Sequence, residues 1–232
     1  MTVELGDRSL FPRLAARAYL AHAAISPLSS RVQRALTAVI DGAEREGLGA
    51  MGFQLEQADR ARELFAGLIA AEPEHVARLS STSAGVSAIS TALQLEPGDR
   101  ILVFEGEFPT NVTPWAAAAR RAGAELVFCP LEPFAESHDA GLAAFDALID
   151  ERVRLVAVSA VEFQTGLAMP LDRLAARAHA HGARLFVDAI QAVGAVPIDV
   201  RALGVDYLAA GGHKWLMGPW APPSSTSHPM HV

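Results

Sequence analysis

Cysteine is nearly missing from this chain: Cys129 is the only one in 232 residues. A lone thiol excludes an intrachain disulfide framework and any cysteine-built metal cluster, and it fits a reducing compartment. Set at the end of the apolar run Leu126-Val-Phe-Cys129, it reads as a buried structural thiol. Aromatic residues are also scarce, at 6%. Basic runs are absent and the formal charge is −7, so the chain offers no electrostatic footprint for nucleic acid. No apolar run approaches the ~18 residues that a bilayer span needs. Arg13 and Arg17 interrupt the one candidate signal-peptide core, so a soluble, cytoplasmic protein without a membrane partner is expected. No G-x-x-x-x-G-K-[ST] turn occurs, and the G-x-G-x-x-G spacing of Gly47–Gly52 interrupts a helical pattern instead of following a strand, which disfavours a simple nucleotide-binding module. No metal site is expected.

What the chain does have is length for a real core and 51% hydrophobic residues, many of them alanine. Apolar runs alternate with helical patterns. Helix-spaced residues follow Pro27 (Val32, Ala35, Leu36, Val39, Ile40, Ala43), and Gly47-Leu-Gly-Ala-Met-Gly52 breaks that helix. A second helix is predicted over Gln54–Ala71, with Ala61, Leu64, Phe65, Leu68 and Ile69 inward. Strands are predicted at Val76–Leu79, Ile101–Phe104, Glu125–Cys129, Val153–Ser159, Arg184–Val187 and Val205–Leu208. Helices between them are predicted to start after Gly85 and at Pro114, Leu142 and Leu171. Val153–Ser159 is a nearly continuous apolar run of the kind parallel sheets bury. The alternation predicts a three-layer α/β fold with a mostly parallel sheet.

Two separated elements carry chemistry. Arg184-Leu-Phe-Val187 ends on Asp188, with Gln191 three residues on, and Gly211-Gly-His-Lys214 follows downstream. A lysine amine and a carboxylate at a strand end are what pyridoxal 5′-phosphate (PLP) requires. The amine forms the Schiff base, and the acid keeps the ring nitrogen protonated so that the ring acts as an electron sink. A small-residue turn, Ser80-Ser-Thr-Ser-Ala-Gly85, stands between a strand and a helix start. That arrangement is an anion seat, because free N–H groups and the helix dipole point at the ligand; a plain N-cap by Ser83 is the alternative.

VDAIQAVGAVPIDV followed by GGHKW resembles the class V aminotransferase family of fold-type I PLP enzymes, and the resemblance runs roughly from Tyr19 to Pro219. The resemblance implies that Lys214 holds PLP, Asp188 meets its ring nitrogen, and Gln191 donates to its phenolic oxygen. It assigns the phosphate to Thr82, Ser83, Ala84, Gly85 and His213, ring stacking to Phe108, and the 3-oxygen side to Gln164 and Thr165. Tyr19–Ala24 resembles a segment on the substrate side, with His22 within it. The implied activity is a lyase (cysteine desulfurase or selenocysteine lyase-like) or an aminotransferase acting on a small amino acid, in a homodimer. Kynureninase-like or epimerase-like members, and an inactive PLP-binding remnant, are the alternatives. The reading divides the chain into a lead segment (1–27), an incomplete PLP-binding large domain (28–219) and a disordered or non-native tail (220–232). The small C-terminal domain is taken to be missing, and an open sheet edge is expected where the family continues.

Overall fold

The computed structural model describes residues 7–219 and the two-residue strand Met230–His231. Seven strands form one sheet: β1 (Ala77–Arg78), β2 (Arg100–Phe104), β3 (Glu125–Cys129), β4 (Val153–Ser159), β5 (Arg184–Asp188), β6 (Tyr207–Ala210) and β7 (Met230–His231), in the order β1-β7-β6-β5-β4-β2-β3. The five strands from β2 to β6 are mutually parallel. β7 runs antiparallel to both β6 and β1 and lies between them, so no open edge is found at β6 among the described residues. The remainder of the expected tail lies outside the described residues.

Seven helices accompany the strands: α1 (Ser30–Glu46), α2 (Met51–Leu68), α3 (Thr82–Ala92), α4 (Thr113–Ala122), α5 (Glu132–Glu136), α6 (His138–Asp146) and α7 (Leu171–Ala180). The period-2 alternation of each strand sorts side chains to two faces. Leu102, Phe104, Val156, Val158, Leu185 and Val187 pack with α2, α5, α6 and α7. Ile101, Val103, Leu155, Ala157 and Phe186 pack with Val86 of α3 and Trp115 of α4. Three layers result, as the alternation predicts. Cys129 lies wholly inside, and burial pushes its thiol up to about 12.

On the apolar stripe of α1, Val32, Leu36 and Val39 are half-buried and Ile40 is 65% exposed. Two local expectations are corrected. At the C-terminal end of α2, Phe65 and Ala66, with Ile69 just past the helix, face the core, while Leu64 and Leu68 lie on the adjoining face and are exposed. The helix predicted from Leu142 starts at His138 instead, since Ser137 caps it by accepting from Ala140 N.

Candidate active site

The parallel strands end level with one another. Ser159, Asp188 and Ala209 are in register across β4, β5 and β6. The order in which the chain visits strands reverses between β2 and β4, the place where open α/β sheets leave a ligand crevice beyond their carboxyl ends.

Asp188 is 4% exposed, and its Oδ1 accepts from Ile190 N at 3.0 Å. Burial outweighs that bond and the attraction of Lys214, and pushes the carboxyl up to about 6. Lys214 is half-buried; desolvation lowers its proton affinity and Asp188 partly restores it. His213 is likewise held below its ordinary value, by burial first and then by the Lys214 charge. Asp188, His213 and Lys214, predicted from separate elements, are therefore brought together.

The turn that presents Lys214 is closed by Met217 N donating to Lys214 O at 2.9 Å and Gly218 N to Gly212 O at 2.7 Å. Met217 adopts φ 56°, a left-handed conformation that costs a non-glycine residue and recurs at functional turns. A Cβ on Gly211 would stand 3.1 Å from Thr82 Oγ1. Thr82 itself is buried, and its hydroxyl has no hydrogen-bond partner among the described residues. The N-terminus of α3 thus faces the lysine turn with an unsatisfied hydroxyl. Ser81, not Ser83, caps this helix by accepting from Ala84 N at 3.0 Å, because its extended backbone aims the side chain back at the first turn. Ser83 instead shares a 3.0 Å hydrogen bond with Thr110, while Gly85 is buried in the helix.

Gln191 is 8% exposed and committed within the protein: its Nε2 donates to Ala23 O and its Oε1 accepts from Trp215 Nε1, both at 3.0 Å. Phe108 is 47% exposed and sits edge-to-face against Phe163, with ring centres 5.2 Å apart. Gln164 and Thr165 lie exposed on the turn after β4. Their amides and the Thr165 hydroxyl donate to Glu162 Oε2, which defines the turn. No described contact joins Gln164 or Thr165 to the Asp188–Lys214 pair.

Two sets of residues escape a reading of the sequence. The lead segment is docked on the site: His22 stacks on Trp215 at 5.6 Å, bonds Ser26 Oγ at 2.7 Å, and Ser26 N donates to His213 O. The resemblance places Tyr19–Ala24 on the substrate side, but nothing local signals the pairing of His22 with Trp215 or of Ser26 with His213. The second is Glu107, whose carboxyl accepts from both the backbone N and the hydroxyl of Ser159 at 2.5 Å. An acid directly before Phe108, in a loop leaving a strand, was the available signal. Among the described residues no cluster of His, Cys, Asp and Glu is placed to hold a metal, and no helix is long and apolar enough to cross a membrane.

Comparison with known proteins matches this arrangement. A cysteine desulfurase of Klebsiella pneumoniae (strain 342) is 37% identical over 155 residues, 66% of this chain and 37% of that protein. A probable cysteine desulfurase of Mycolicibacterium paratuberculosis is 32% identical over 69% of this chain and 24% of its own length. The chain thus spans well under half the length of these relatives. Among solved structures, a lysine-to-alanine variant of C-DES with glycine covalently linked to its PLP cofactor superposes with a TM-score of 0.89 at 26% identity. That match covers 97% of this chain and 59% of C-DES. The cystine C–S lyase C-DES with its product cysteine persulfide gives 0.84 at 25% identity, over 96% of this chain and 58% of that one. The family model for aminotransferase class V matches residues 18–220, and the chain belongs to that family.

Proposed function

We propose that this chain binds PLP through Lys214 and belongs to an enzyme that cleaves the carbon–sulfur bond of a small amino acid such as cystine or cysteine. The observation that carries the reading is the buried Asp188 carboxyl electrostatically coupled to half-buried Lys214 at the carboxyl ends of the parallel strands. The residues fit the cofactor. A dry acid suits a protonated ring nitrogen, a lysine of lowered proton affinity suits an aldehyde carbon, and the α3 N-terminus with the orphaned Thr82 hydroxyl suits a phosphate. His213 and the Ser83–Gly85 turn would complete that side, Phe108 would cover the ring face, and Gln191, whose Nε2 gives one N–H to Ala23 O, would offer its other N–H to the phenolic oxygen. Gln164 and Thr165 are assigned to the outer rim of the 3-oxygen side.

PLP, when bound, supplies an electron sink for charge developing at the substrate Cα. The chain supplies the rest. Asp188 holds the positive ring nitrogen in place. Lys214, once its Nζ is free, would take and return the proton at Cα, and its lowered proton affinity favours the free amine that this needs. The lead segment, fixed by His22 and Ser26, closes one side of the lysine turn and limits water there.

Two carbon–sulfur chemistries are possible. In one, a protein thiolate takes the sulfur; in the other, the Cβ–S bond breaks by elimination and the leaving sulfur keeps the electron pair. Cys129 is buried with its thiol pushed up to about 12, which makes it unsuited to serve as that thiolate. Likeness to C-DES, described as a cystine C–S lyase whose product is cysteine persulfide, supports the second route. A cytoplasmic homodimer belongs to the same reading, and the exposed apolar residues of α1 and α2 support it.

The test is to load purified protein with PLP, reduce with borohydride and map the pyridoxyl group. A single label on Lys214, together with persulfide release from cystine, is expected. Label spread over surface amines, or no label, overturns the reading.

A further inference from the structure

Glu107 stands at the strand ends with no task in the reading above. It lies in the loop leaving β2, one residue before Phe108. Its Oε1 accepts from Ser159 N and its Oε2 from Ser159 Oγ, both at 2.5 Å. Ser159 ends β4, so the carboxyl bridges the crevice between β2 and β4 where the strand order reverses. Asn111 stands against the same carboxyl from its own loop, and its Oδ1 holds Trp115 Nε1 at 3.0 Å. Asp188 faces it from β5, in register with Ser159, and Lys214 acts on Asp188 in turn. Burial pushes Glu107 up to about 7; Ser159 and Asn111 hold it down, while Asp188 drives it up. Two carboxyls in one dry pocket each oppose the other's ionisation, so the state of one is read by the other.

We propose that Glu107 is a positioning residue for the cofactor ring: clamped on Ser159, it fixes the loop that carries Phe108 against the end of β4 and sets the charge felt by Asp188 across the crevice. While Glu107 is neutral, Asp188 alone presents negative charge to the ring nitrogen. When Glu107 ionises, a second negative charge strengthens the hold on that nitrogen's proton. The inference rests on the PLP reading, and its test separates the two.

Wild type, Glu107→Gln and Ser159→Ala are loaded with PLP. Cofactor affinity and visible absorbance are then followed from about pH 5.5 to about pH 9, bracketing the carboxyl's range. Gln is a neutral isostere, so the wild-type midpoint near neutrality is expected to vanish in Glu107→Gln. Ser159→Ala removes a donor that favours the ionised carboxyl, so the midpoint is expected to move up by roughly one pH unit. A purely structural clamp weakens binding in both variants and leaves the midpoint in place; that result overturns the proposal. Failure of the wild type to retain PLP defeats the cofactor reading instead. The Glu107–Asp188 coupling is then read from carboxyl carbon NMR shifts of the cofactor-free protein. Asp188→Asn is expected to lower the Glu107 midpoint, and an unmoved midpoint overturns the coupling. The same NMR measurement serves if Glu107→Gln does not fold.

Discussion

At the scale of single residues, Asp188 gains little from the fold until something positive meets it. One backbone N–H and a half-buried lysine do not offset its desolvation, which is why its carboxyl rises to about 6 from an ordinary 3.8. In the enzyme reading that cost is recovered by the ring nitrogen. Asp188→Asn should therefore still bind PLP but exchange the substrate α-proton at least tenfold more slowly, since each ~1.4 kcal/mol of lost pairing is one decade. Proton exchange into deuterated water, followed by NMR, measures this. Exchange at the wild-type rate would reduce Asp188 to a cap on the end of β5.

At the scale of elements, the lysine turn is built by close approach. Gly194 has φ +94°, and a Cβ there would meet Trp215 O at 2.9 Å. Gly194→Ala should destabilise by about 1–3 kcal/mol through strain and overpacking, and should also weaken PLP binding because it presses on the Lys214 turn. Gly141 gives the comparison. A Cβ there would fall 2.2 Å from the ring of Phe134, which packs on Phe104 in the α5–α6 corner, with no described contact to the Lys214 turn. Gly141→Ala should cost at least as much in stability and leave the affinity of the folded protein for PLP unchanged. Urea unfolding beside PLP titration distinguishes them; equal loss of affinity in both would show that the lysine turn has no special dependence on Gly194. The lead segment is held by the same logic. His22, Ser26 and Gln191 secure it with one stack and a few hydrogen bonds rather than a helix of its own.

At the scale of the whole molecule, the two raised carboxyls set how stability responds to pH. Glu107 rises to about 7 from 4.5, and Asp188 to about 6 from 3.8. In the interval between those values the folded chain holds protons that the unfolded chain has released. Stability of the cofactor-free protein therefore falls as pH rises, beginning near pH 4 and levelling off above pH 7. Each group contributes on the order of 3 kcal/mol at most. Denaturant unfolding from about pH 4.5 to about pH 8 should show the decline, and Glu107→Gln should flatten its upper part. Constant stability over that range would mean that neither carboxyl is as dry in solution as the structure makes it.

The parallel αβα frame, β3 and β4 residue for residue, and the Asp188–His213–Lys214 grouping were legible in the chain, because each rests on local pattern. A continuous apolar run marks a strand buried on both faces, and an acid at its end or a lysine in the turn after it lies at its carboxyl end. The engagement of Gln191 with Ala23 and Trp215, the docking of His22 on Trp215 and the Glu107 clamp on Ser159 were not legible. Those contacts join residues far apart in the chain, and their worth comes from desolvation. A glutamate reads the same in a loop whether it meets water or a second buried acid, and only the assembled sheet end decides which.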